Sequence, residues 1–124
     1  MRILLIVAGV LNAAFVGFHI FLGLEITHWT ALPADTRGLL ETFNTAGTLM
    51  IAFLALALLA RGREVMGTGL GAATLALGTL IYLSRAAAEF LWLAGNLKIA
   101  AVCVVAGLLH AVLFTGVRVT RKIA

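Results

Sequence analysis

Charge is scarce in this chain: Asp, Glu, Lys and Arg together make up 11% of its 124 residues, against about a quarter in a water-soluble domain. A single cysteine, Cys103, excludes an internal disulfide. With no Cys-x-x-Cys pair, quinone-linked disulfide exchange is unsupported, and mid-segment Cys103 reads as a small apolar core residue. The one serine, Ser84, has no evident base and lies in no Gly-x-Ser-x-Gly motif, which sets a serine hydrolase aside. No glycine loop with lysine is present to cradle phosphate; the glycines at 67, 69 and 71 match helix packing instead. The one proline, Pro33, leaves the rest of the chain open to long helices.

What fills the chain is apolar residues, at 63%. They form four stretches at about 3–24, 39–60, 65–93 and 97–119, each near the roughly 20 residues that cross a bilayer. Little is left over, so the expectation is one all-α integral membrane domain over 1–124, an antiparallel up-down four-helix transmembrane bundle. The first stretch is read as a retained helix. It is long for a signal h-region and carries Asn12 and His19, with Glu25 at its edge. The net charge of +4 does not signal nucleic acid, because the basic residues sit at segment ends. Arg2, Arg61, Arg63, Arg118, Arg121 and Lys122 fall on one side; Arg37, Arg85 and Lys98 fall on the other. The positive-inside rule then puts both termini in the cytoplasm, in a multi-pass protein of a bacterial-type inner membrane. Links are expected at 61–64, at 26–38 around Pro33, and at a tight Ala94-Gly95-Asn96 turn. Trp29, Tyr82 and Trp92 are expected in an interfacial belt. Close-packing stripes are expected at Gly9, Ala13 and Gly17, and at Gly67 and Gly71.

Each stretch has one polar side. Residues seven apart share a helix face, and Asn12–His19, Glu41–Thr48, Tyr82–Glu89 and Asn96–Cys103–His110 all step by seven. Polar groups facing lipid lack partners, so these sides are expected to face inward. Counting about 1.5 Å per residue from the cytoplasmic anchors puts His19, Glu41, Asn44, Tyr82, Arg85 and Lys98 in one layer, ~25–31 Å up. Glu25, Glu89 and Asn96 cap this layer, and the same count puts a sparser one, Asn12 and His110, at ~12–15 Å. The upper layer reads either as an externally open ligand pocket or as helix-end decoration. In the second case Arg85 pairs with Glu89, Arg37 with Glu41, and Lys98 snorkels. No metal site has a recognised ligand spacing. A haem between His19 and His110 is disfavoured because their depths differ by ~13 Å, and no cofactor is expected.

In length and layout the chain resembles the small multidrug exporters, but only in size. They carry a membrane-embedded acid in the middle of helix one, where this chain has Asn12 and His19, so the proton-coupled function is not carried over. Fluoride channels share the size too, but the charge bias argues against their dual topology. Three functions stay open. One is a pocket protein that binds or moves a small hydrophobic or anionic molecule, lipid or quinone. Another is an accessory subunit of a larger membrane complex or homo-oligomer. The third is a small membrane enzyme, with His19 or Glu41 as acid/base and Tyr82 or Arg85 in support.

Overall fold

The computed structural model describes residues 1–91 and 96–123, with backbone alone from 118 onward. The described residues are largely helical, with no strand among them: α1 (Arg2–Thr27), α2 (Ala34–Ala60), α3 (Gly62–Gly67), α4 (Gly69–Leu91) and α5 (Leu97–Ile123). Four of these, all but α3, hold spans long and apolar enough to cross a membrane. Large apolar side chains such as Ile3, Phe43, Leu49, Leu80 and Val105 stand on the outside. A water-soluble domain rarely exposes so much apolar surface in one continuous sheath. Trp92, Leu93, the expected turn residues Ala94 and Gly95, and the side chains of Arg118, Arg121 and Lys122 lie outside the described residues.

Two boundaries depart from the sequence reading. The second helix begins at Ala34 rather than near 39, which shortens the first link. Pro33 stands just before it with φ −52°, and Asp35 occupies the first turn. A proline presets the entry dihedral, and an acid there suits the positive end of the helix dipole. Charge in that turn therefore belongs to a helix start, not to a loop.

The third stretch is broken. Thr68 is extended, at φ −121° and ψ 160°, between α3 and α4. Its hydroxyl donates to the Glu64 carbonyl at 2.8 Å and accepts from the Gly71 N–H at 3.0 Å. One side chain thus closes α3 and caps α4. Gly71 is required there, since a Cβ at this position would overlap the Val65 backbone.

Small residues set the interhelical contacts, though not all of those expected. Along α1, Gly9 lies against Leu58 and Leu59 of α2, and Gly23 lies against Asn44. The contacts run in opposite senses, so α1 and α2 are antiparallel. Gly78 lies against His110 and Gly107 against Leu83, which gives α4 and α5 the same relation. Gly17 and Gly67 meet nothing, and Ala13 is exposed. The two helix pairs join through two buried clusters. One gathers Leu5, Ala8, Leu58, Val65, Leu75, Leu113 and Val117; the other gathers Leu54, Tyr82, Ala86, Cys103 and Ala106.

Candidate functional site

Most of the polar residues singled out in the sequence fall into four groups. The most deeply buried ties α1, α4 and α5 together. The Tyr82 hydroxyl donates to Asn12 Oδ1 at 2.7 Å. Asn12 Nδ2 donates to the Ala8 carbonyl at 2.7 Å and lies 3.3 Å from His110 Nε2. His110 Nδ1 is 2.8 Å from the Ala106 carbonyl, which can only accept. The ring is therefore protonated on Nδ1, and Nε2 accepts from Asn12. Every hydrogen-bonding atom of the Asn12 amide and the His110 ring is used. Phe15 and His110 flank the Tyr82 ring at centroid distances of 5.3 and 5.5 Å. Each polar atom of the node has a partner within the chain and all three residues are buried, so the node ties helices together and offers a ligand no access.

Tyr82 is only 3% exposed, and its hydroxyl bonds to Asn12 of the lower layer rather than to an upper-layer residue. The depth count started the third span at the Arg61–Glu64 link, but α3 uses six residues before α4 begins at Gly69. Counted from Gly69, Tyr82 rises only about 20 Å, midway between the two expected layers, and its hydroxyl reaches down to Asn12.

A second group joins α1 and α2 alone. Asn44 Nδ2 donates to the His19 carbonyl at 2.9 Å, which turns Oδ1 toward the imidazole. Asn44 Oδ1 then accepts from His19 Nδ1 at 2.8 Å. His19 Nε2 has no partner among the described residues. The ring lines a lateral groove of about 400 Å³ with Glu41, Asn44, Thr45 and Thr48, walled by apolar Ile20, Leu24 and Leu49. Glu41 is half-exposed, and its Oε1 lies 4.0 Å from Arg37 Nε. The Thr48 hydroxyl is committed to the Asn44 carbonyl at 2.7 Å.

The third group closes one end of α4. Arg85 Nη2 contacts Glu89 Oε1 at 2.5 Å, and the Asn96 N–H donates to Glu89 Oε2 at 3.2 Å. Glu89 is only 3% exposed, so both oxygens are held in a dry setting. The fourth is the start of α5, where Asn96 Oδ1 accepts from the Lys98 and Ile99 N–H groups. Lys98 itself is exposed.

The structure thus brings His19, Glu41 and Asn44 together at one groove. Tyr82 stands with Asn12 and His110, while Arg85, Glu89 and Lys98 lie on α4 and α5. Cys103 is buried beside Tyr82 and Ala106. Among the described residues, no group of three or more His, Cys, Asp or Glu could hold a metal ion. The groove also uses Gly23, which the sequence reading passed over. The available signal was its spacing, one helical turn after His19, where a missing side chain opens space beside the ring. No family model, curated protein or solved structure matches this chain.

Proposed function

We propose that the chain is a small multi-pass protein of a bacterial-type inner membrane that binds or moves a small amphipathic molecule at the α1–α2 groove. One observation carries this reading: Asn44 fixes the His19 ring by its Nδ1 side and leaves Nε2 open to the groove. With its proton on Nδ1, the ring presents Nε2 as an acceptor on a mostly apolar wall, which suits a ligand with a hydroxyl head and an apolar body, such as a lipid or the hydroxyl-bearing, reduced form of a quinone. His19 and Glu41 meet the head, and Ile20, Leu24 and Leu49 meet the body. Compared with the pocket expected from sequence, this site does without Tyr82, Arg85, Glu89 and Lys98.

The helices run up-down-up-down with both termini cytoplasmic, a reading supported by the basic residues at the Arg2 and Arg61 ends. Membrane-impermeant thiol reagents applied outside are expected to label Thr30→Cys and not Gly62→Cys. The reverse pattern overturns this orientation.

A second reading, an accessory subunit, is favoured by a separate observation: Asn12, Tyr82, His110, Arg85 and Glu89 all pair within the chain. Native mass spectrometry of gently extracted protein separates the two. A small molecule at fixed stoichiometry, lost in His19→Ala, supports the groove. A co-extracted protein with no small ligand supports the subunit reading.

A further inference from the structure

The far end of α1 and α2 holds a second and larger groove. It encloses about 720 Å³ where α1 begins, α2 ends and α3 packs. Its rim carries three guanidinium groups, on Arg2, Arg61 and Arg63, and its walls are apolar, with Leu5, Leu58 and Met66 among them. The one carboxylate on the rim is already committed: Arg61 Nη1 donates to Glu64 Oε1 at 2.8 Å. Arg2 and Arg63 have no carboxylate partner among the described residues. The groove therefore carries two uncompensated positive charges over a hydrocarbon floor. Arg2 opens α1, and Arg63 lies in the short helix just outside the spans. Head-group phosphate is the anion that positions at the ends of such spans would meet.

We propose that this groove is a binding site for an anionic phospholipid, with its phosphate held by Arg2 and Arg63 and an acyl chain lying along Leu5, Leu58 and Met66. Three features support that occupant. Guanidinium groups match phosphate oxygens in a planar, bidentate way. Basic pockets between membrane helices are suited to anionic head groups. The cavity passes from charged rim to apolar wall in the same order as the lipid itself. The site is separate from the His19 groove and does not depend on it.

The test uses the full-length protein in mixed micelles, offered phosphatidylglycerol or phosphatidylcholine at equal mole fraction. Bound lipid is counted by native mass spectrometry. Wild-type protein is expected to retain phosphatidylglycerol roughly tenfold over phosphatidylcholine. Arg2→Gln with Arg63→Gln should bring the two lipids to parity, whereas Arg37→Gln, at the opposite helix end, should leave the preference intact. Should the Gln pair fail to insert, Arg2→Lys with Arg63→Lys keeps the charges that orient the helices. It should still lower the preference about threefold, because an ammonium cannot bond bidentately. Parity in the wild type overturns the proposal. So does a preference that Arg37→Gln removes equally, since that reports bulk surface charge, and so does an unchanged preference in the Lys pair. Displacement of the lipid by millimolar inorganic phosphate reassigns the site to soluble phosphate and overturns the lipid.

Discussion

Two histidine–asparagine contacts cross between helices in this protein, and they differ in what they leave over. In the Asn12–His110 contact, Tyr82 and two backbone carbonyls complete the set, and each of Asn12 and His110 is 0% exposed. In the His19–Asn44 contact the amide is fixed from both sides, yet one ring nitrogen stays open on a groove. The same pair of residue types is fully partnered in one place and, in the other, leaves His19 Nε2 without a partner among the described residues beside a groove. What separates them is the number of helices that converge: three at the first, two at the second.

The sharpest way to break this comparison is to delete the hub of the closed node. Asn12→Ala strands the Tyr82 hydroxyl and His110 Nε2 in a dry interior, and is expected to cost on the order of 3 kcal/mol. Reversible unfolding in mixed micelles measures it, and a loss no larger than that of His19→Ala would erase the distinction. Next in size is Gly78→Ala, whose Cβ would press on the His110 ring. Overpacking of this kind costs about 1–3 kcal/mol. Gly17→Ala, with open space around it, is the matched control and should be silent in the same assay.

Arg85→Ala comes third. It leaves Glu89 buried beside a single N–H, whereas Arg61→Ala breaks a pair that is exposed on both sides. Thermal melting should show a clear drop for the first and almost none for the second; equal melting points would contradict the burial argument. The smallest stability effect belongs to His19→Ala, about 1 kcal/mol for one partly exposed contact. Its signature is loss of a bound small molecule in native mass spectrometry, and a folded variant that keeps the ligand would remove His19 from the site.

The four long apolar helices were legible in the sequence, because hydrocarbon thickness sets a length that composition must meet. So was an inward polar side on α1, α4 and α5, where Asn12, Tyr82 and His110 are buried; the Glu41–Thr48 side of α2 is only partly buried and lines the lateral groove instead. Which polar sides meet was not. A face seen along one helix carries no record of the partner helix, and here small contacts such as Gly78 against His110 decide it. The break at Thr68 escaped too, because a local Gly-Thr-Gly hardly alters an apolar average. That omission displaced Tyr82 by several residues in depth and put it with the wrong companions. Pairs within one helix, Arg85–Glu89 and Arg37–Glu41, were readable directly, since i,i+4 spacing needs no knowledge of the fold.

The closed node also bears on the order of assembly. Asn12 sits in the first helix, but its two side-chain partners, Tyr82 and His110, arrive with the last two. Within α1 alone, the amide can reach only the Ala8 carbonyl. Its remaining bonds close when α4 and α5 dock in one register; sliding either by a residue turns its partner about 100° away. A buried asparagine on α1 thus favours one register of α4 and α5, because a slide of one residue breaks its bonds to Tyr82 or His110.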